Sequence, residues 1–126
     1  MRILLPGAEE ATPDLAEGLL SRGAIVHSVP LYKTVPASSA DPAGEAALRE
    51  RRLDAIAFAS GSAAKGFAKI FGASAAAISA PFAVACIGKN CAAAARGVGL
   101  RVDAVGTGGL PELVDAVAGA IGKRRE

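Results

Sequence analysis

Five short apolar runs separated by helix-spaced stretches predict an α/β protein built on a flavodoxin-like, doubly wound, five-stranded parallel sheet of order 2-1-3-4-5. Three observations carry that expectation. The runs are continuous rather than alternating, as in strands covered on both faces. They alternate with segments of 3.6-residue period, which calls for right-handed crossovers between parallel strands. The turns that follow them are small and rich in glycine, as strand-to-helix turns must be. A length of 126 residues fits one domain, residues 1–126.

The first strand is Arg2-Ile3-Leu4-Leu5-Pro6. Thr12 can cap the next helix, with Pro13 in its first turn and Leu15, Leu19 and Leu20 as its stripe until Arg22-Gly23. A second strand spans 24–32 and weakens near Pro30. Residues 33–42 hold two prolines and two serines and form the linker-like stretch of the chain. A charged helix over roughly 43–52 follows, with Leu48 as its apolar contact. The third strand is 53–59, and helical spacing resumes at Ala63, Phe67, Ile70 and Phe71. Residues 73–80 suit a short helical turn, and 82–87 a fourth strand. A small helix at 92–95 stops at Gly97 or Gly99, and the fifth strand is 100–105. Leu113, Val114, Val117 and Ile121 then mark the apolar stripe of a final helix.

Composition excludes several classes. Apolar residues at 52% against 21% charged exclude disorder. A net charge of +2 gives no argument for a nucleic-acid partner, and Lys123, Arg124 and Arg125 read as a solvated tail. Cys86 and Cys91 are five apart and His27 is remote, which is neither a zinc spacing nor a disulfide framework. Reduced thiols, no metal and a cytoplasmic setting are expected. No apolar run is long enough to cross a membrane, and Arg2 followed by Pro6 does not read as a signal peptide. No phosphate-binding P-loop or dinucleotide fingerprint occurs. His27 falls mid-strand as a packed or edge residue, Cys86 falls in the core, and Cys91 opens a helix without a partner base.

In an open parallel sheet, ligands bind beyond the carboxyl ends of the strands. Those loops are Pro6-Gly7-Ala8, Ser60-Gly61-Ser62, Gly88-Lys89-Asn90-Cys91 and Gly106-Thr107-Gly108-Gly109. Each feeds a helix N-terminus, whose free N–H groups and positive dipole end favour carboxylates or phosphates. The competing reading is that such loops need glycines and caps merely to turn.

Taken together, these segments resemble the C-terminal half of the uroporphyrinogen-III synthase family. The opening Ile3-Leu4-Leu5-Pro6-Gly7-Ala8-Glu9-Glu10-Ala11-Thr12-Pro13-Asp14-Leu15 is similar to that family's mid-chain strand and turn. Val29-Pro30-Leu31-Tyr32-Lys33-Thr34, Asp54-Ala55-Ile56-Ala57-Phe58-Ala59-Ser60-Gly61-Ser62 and Ile87-Gly88-Lys89-Asn90-Cys91-Ala92 match further motifs in the same order. Gly7 and Thr12 depart from the pattern where the family often has arginines, and Cys91 and Ala59 where it has threonines.

The resemblance implies a lyase that cyclises the linear tetrapyrrole hydroxymethylbilane to uroporphyrinogen III with inversion of ring D, without metal or organic cofactor. It implies Tyr32 as the group assisting departure of the hydroxyl, against a packing role at the strand end. Gly7, Ser60, Gly61, Ser62, Lys89, Asn90, Cys91 and Thr107 are implied as substrate contacts. A full synthase is about twice this length, with two lobes around a cleft, and residues 33–42 fall where that chain crosses between lobes. Two arrangements follow: a closed single domain, or a homodimer in which two copies exchange residues 1–32 to rebuild two lobes. The alternative function is a non-catalytic flavodoxin-like module that binds carboxylates or phosphates.

Overall fold

The computed structural model describes residues 2–8, 13–32 and 39–125. Their elements run β1 (Arg2–Ala8), α1 (Asp14–Leu20), β2 (Ile25–Tyr32), α2 (Pro42–Arg49), β3 (Ala55–Phe58) and α3 (Gly61–Phe71). A 3-10 turn (Gly72–Ser74), α4 (Ala75–Ser79), β4 (Ala83–Cys86), α5 (Lys89–Gly97), β5 (Ala104–Val105) and α6 (Leu110–Arg125) complete the order. Strands alternate with helices throughout, and every ladder is parallel. The ladders form two sheets, one of order β1-β2 and one of order β3-β4-β5. The neighbour relations 2-1 and 3-4-5 are therefore present as separate pieces. The chain divides into two units, Met1–Pro36 and Ala37–Glu126, and the division falls inside the proline-bearing linker stretch.

In the first unit β1 pairs with β2 from Arg2↔Ile25 to Ala8↔Tyr32, with an irregularity between Gly7 and Ala8. The strand runs through Pro6, longer than its apolar core suggests. Helix α1 ends at Leu20, and Gly23 at φ 86° makes the left-handed turn that lets Ala24 N–H reach the Leu19 carbonyl. No residue of α1 is buried, and Leu15 and Leu20 are exposed rather than packed. The Thr12 cap lies outside the described residues.

The second unit holds the core. Strand β4 is buried at all four positions, Ala83, Val84, Ala85 and Cys86. Small residues let helices come close: Ala64 of α3 and Ala92 and Ala95 of α5 are fully enclosed, together with Phe58, Cys91 and Leu100. Phe67 meets Phe58 edge-on at 5.6 Å and Phe71 at 4.8 Å, finishing one side of this core. Asp41 caps α2 by accepting from Gly44 N–H at 3.0 Å, with Pro42 at the first helical position.

Three expectations need correction. The fifth strand is two residues long instead of six. Asp103 is the reason, because its carboxylate accepts the Val84 N–H at 2.8 Å while its own N–H donates to the Val84 carbonyl at 2.8 Å. The side chain thus takes a ladder position and starts the strand late. The C-terminal basic run is not wholly solvated. Arg124 donates to the Ala80 carbonyl at 2.9 Å and lies 3.6 Å from Asp103, tying α6 to the entry of β4. Val114 faces solvent, and Leu113 and Ala120 form the buried side of α6.

Burial alone would raise the Asp103 carboxyl, but Arg101 hydrogen bonds, the Val84 N–H and the charges of Arg101 and Arg124 together hold it below its ordinary value. A lowered folded value means stability that is full above the unfolded carboxylate range, about 4, and is lost as pH falls through the folded value. Asp103→Asn should therefore cost about 1–2 kcal/mol at pH 7. Urea unfolding at a series of pH values should show the two proteins converging below about pH 4.

Candidate functional site

Three of the expected loops lie together in the second unit, at the carboxyl ends of β3, β4 and β5. Their adjacency follows from how little room the glycines leave. A Cβ on Gly61 would stand 3.1 Å from the Ala94 methyl of α5, so the turn after β3 lies directly against that helix. A Cβ on Gly88 would stand 3.5 Å from the Gly108 Cα, so the turns after β4 and β5 touch. Gly106 is tighter, since its Cβ would fall 2.7 Å from the Ile87 carbonyl oxygen. Gly106 N–H donates to the Cys86 carbonyl and Gly108 N–H to the Ile87 carbonyl, each at 2.8 Å, which fixes the two turns to one another.

The three helix starts differ electrostatically. At α3, Ser60 takes extended backbone and its hydroxyl accepts the Ala63 N–H at 3.1 Å, with Ser62 Oγ a further 3.3 Å away. That serine pair satisfies part of its own helix end while leaving hydroxyls exposed. At α6, the Glu112 carboxylate lies over Gly109 in the first turn, so an acid of the protein already occupies the positive end. At α5, Gly88 supplies no side-chain cap, the first turn holds no acid, and Lys89 and Asn90 are exposed. This is the most anion-receptive of the three starts, with an ammonium and an amide beside free backbone N–H groups.

The expected residues are thus distributed unevenly. Ser60, Gly61, Ser62, Lys89, Asn90 and Thr107 belong to this loop cluster, and Ser60, Ser62, Lys89, Asn90 and Thr107 are exposed there. Cys91 is placed differently from the expectation. It is buried, and its thiol donates to the Phe58 carbonyl at 3.4 Å, so its side chain serves the β3–α5 packing and only its backbone N–H belongs to the helix start. Cys86 is pushed up to about 12 by burial, then by the hydrogen bond and charge of Cys91, and is a protonated core thiol. Gly7 and Tyr32 belong to the other unit, where Gly7 pairs with Pro30 and Tyr32 with Ala8 at the end of the β1–β2 ladder. His27 sits mid-strand in β2, exposed. Glu112 was not among the expected site residues, although an acid two residues into a helix after Gly-Gly is a recognisable signal.

Among the described residues, no group of three or more His, Cys, Asp or Glu side chains could hold a metal ion. No described helix is long and apolar enough to cross a membrane. The family model described as Uroporphyrinogen-III synthase HemD matches residues 1–107. No curated protein matches the chain at a significant level.

The turn geometry makes a paired prediction. Gly106→Ala places a methyl group against backbone and should cost about 1–3 kcal/mol. Gly88→Ala meets only ordinary contacts, on extended backbone open to any residue, and should stay within about 0.5 kcal/mol of the parent. Thermal or denaturant unfolding of the two variants checks the contrast.

Proposed function

Because the chain belongs to the uroporphyrinogen-III synthase family, we propose that it takes part in closing hydroxymethylbilane to uroporphyrinogen III, with its second-unit loops holding the acidic side chains of the substrate. The observation that carries this reading is the family match over residues 1–107, which includes the loops after β3 and β4 and the start of the loop after β5. The open start of α5, with Lys89 and Asn90 beside it, supports it independently of any family.

The chemistry suits such a site. The hydroxymethyl group leaves as water once its oxygen is protonated, and the pyrrole nitrogen lone pair forms an azafulvenium cation. Carbon–carbon closure then runs through a spiro intermediate that reverses ring D, and a ring proton is lost to restore the pyrrole. Little is asked of any one side chain beyond holding the ends of the molecule in position. Eight carboxylates on the substrate meet backbone N–H groups, the Ser60, Ser62 and Thr107 hydroxyls, the Asn90 amide and the Lys89 ammonium. Gly61 keeps the first of these turns against α5.

Freshly made hydroxymethylbilane, incubated with the protein and resolved into isomers, tests the reading. Formation of the type-III isomer above the spontaneous type-I background is expected. Type-I product alone at high protein concentration, with no binding of uroporphyrinogens, overturns it. Tight binding of uroporphyrinogens without turnover would replace it with a non-catalytic carboxylate-binding module. Lys89→Ala removes one charge-assisted contact at an exposed position. It should lower kcat/KM by about ten- to a hundredfold while leaving the unfolding midpoint unchanged, since such contacts are worth about 1.5–3 kcal/mol.

A further inference from the structure

Helix α2 closes on a conformation that its sequence does not favour. The Arg52 N–H donates to the Ala47 carbonyl at 2.9 Å and the Arg51 N–H to the Leu48 carbonyl at 3.2 Å. This is the doubly bonded helix stop whose left-handed position ordinarily falls to glycine. Here the position is held by Arg51 at φ 56°, the one non-glycine residue with positive φ among the described residues. An L side chain there crowds its own backbone and costs stability that glycine would not. The backbone therefore gives no reason for an arginine, which points to a use for its side chain.

That side chain is a charge without a counterpart. Arg49 is bound to Glu45, through Nε at 3.1 Å and Nη2 at 2.9 Å, and Arg52 to Glu50 at 2.6 Å. The Arg51 side chain has no hydrogen bond or ion pair among the described residues. It borders a hollow of about 360 Å³ within residues 37–126. The lining joins three donor residues, Arg49, Arg51 and Ser74, to the apolar Leu48, Ala77 and Ile78, and it contains no acid. Ser74 makes no side-chain bond to the start of α4, so its hydroxyl is not spent on a cap. Arg51 and Ser74 precede strands β3 and β4, which begin at Ala55 and Ala83, whereas the loop cluster follows those strands.

We propose that this hollow binds a small phosphomonoester. Its phosphate meets Arg51, the Arg49 Nη1 that Glu45 leaves unused, and the Ser74 hydroxyl, while its organic part rests on Leu48, Ala77 and Ile78. Three separate donors outnumber the two oxygens of a carboxylate but match the three terminal oxygens of a phosphate monoester. The phosphate charge at neutral pH, close to two negative, also answers the unpaired guanidinium. A hollow of this size suits a small metabolite rather than a macromolecule. The site is separate from the loop cluster and does not rest on the reading of that cluster.

Calorimetric titration of the full chain with phenyl phosphate tests the proposal, since the ring supplies an apolar body and the phosphate the charge. Binding tighter than that of inorganic phosphate is expected, with benzoate weaker by about tenfold or more. Arg51→Gly is the decisive variant because its two effects have opposite sign. Glycine suits the left-handed position, so the unfolding midpoint should hold or rise, while affinity for phenyl phosphate falls about ten- to a hundredfold. No binding of phenyl phosphate at millimolar concentration overturns the proposal. So does equal affinity in the parent and Arg51→Gly, or benzoate binding as tightly as phenyl phosphate. An affinity lost in Lys89→Ala but kept in Arg51→Gly also overturns it, because the phosphate then sits at the loop cluster.

Discussion

Strand β4 is the constraint on which residues 37–126 depend. Its four residues are enclosed on both faces and both edges, with β3 on one side and β5 on the other. A central parallel strand of this kind admits no polar side chain and little volume, so its sequence is Ala-Val-Ala-Cys. The helices above it answer with alanine, and the backbones of α3 and α5 come close enough that Gly61 nearly touches Ala94. The entry of the strand is held by charge rather than packing. Arg101 and Arg124 converge on Asp103 and on the carbonyls of Ala80 and Phe82, so backbone groups that would otherwise lack partners near the core edge are satisfied.

That arrangement sets the exit of the strand, and with it the loop cluster. The turns after β4 and β5 are joined by two backbone hydrogen bonds and by a Gly106 that can accept no side chain. A short, backbone-locked turn keeps helix-start N–H groups aimed at fixed points, which suits recognition of several anions at once. The three helix starts do not contribute alike. Glu112 neutralises one, Ser60 partly satisfies another, and the start of α5 has neither a side-chain cap nor an acid in its first turn. An anion would therefore be drawn to the middle of the cluster, where Lys89 adds a full charge to the partial charge of the helix end.

The alternation of strand and helix and the parallel pairing of the strands were legible in the sequence, because they follow from periodicity and from where glycine, proline and serine fall. Element ends were not. The run 100–105 looks like a strand, yet Asp103 spends its side chain on the neighbouring ladder, a tertiary choice that no local pattern encodes. Arg124 reads as tail because its partners, Ala80 and Asp103, are distant in sequence. The final helix shows why a stripe of large residues can mislead: Val114 is exposed and Ala120 is buried, since an alanine-rich interior selects for closeness rather than bulk. The Cys91 side chain turns inward for the same reason. A small thiol at the first turn of α5 fits under Phe58, and its hydrogen bond to the Phe58 carbonyl points it inward.

The two units differ in what their sequences can accomplish alone. Residues 37–126 enclose a strand, fill its faces and satisfy its ends, so their loops have a rigid support. Residues 2–32 bring apolar strands but, among the described residues, no buried side chain, because a helix of seven residues and two strands have too little surface to enclose one another. Their hydrogen-bonded ladder nevertheless fixes where Gly7 and Tyr32 stand relative to each other, one residue apart in register across the Gly7/Ala8 irregularity. The first unit is thus locally ordered by its backbone ladder, whereas the second is ordered by its core.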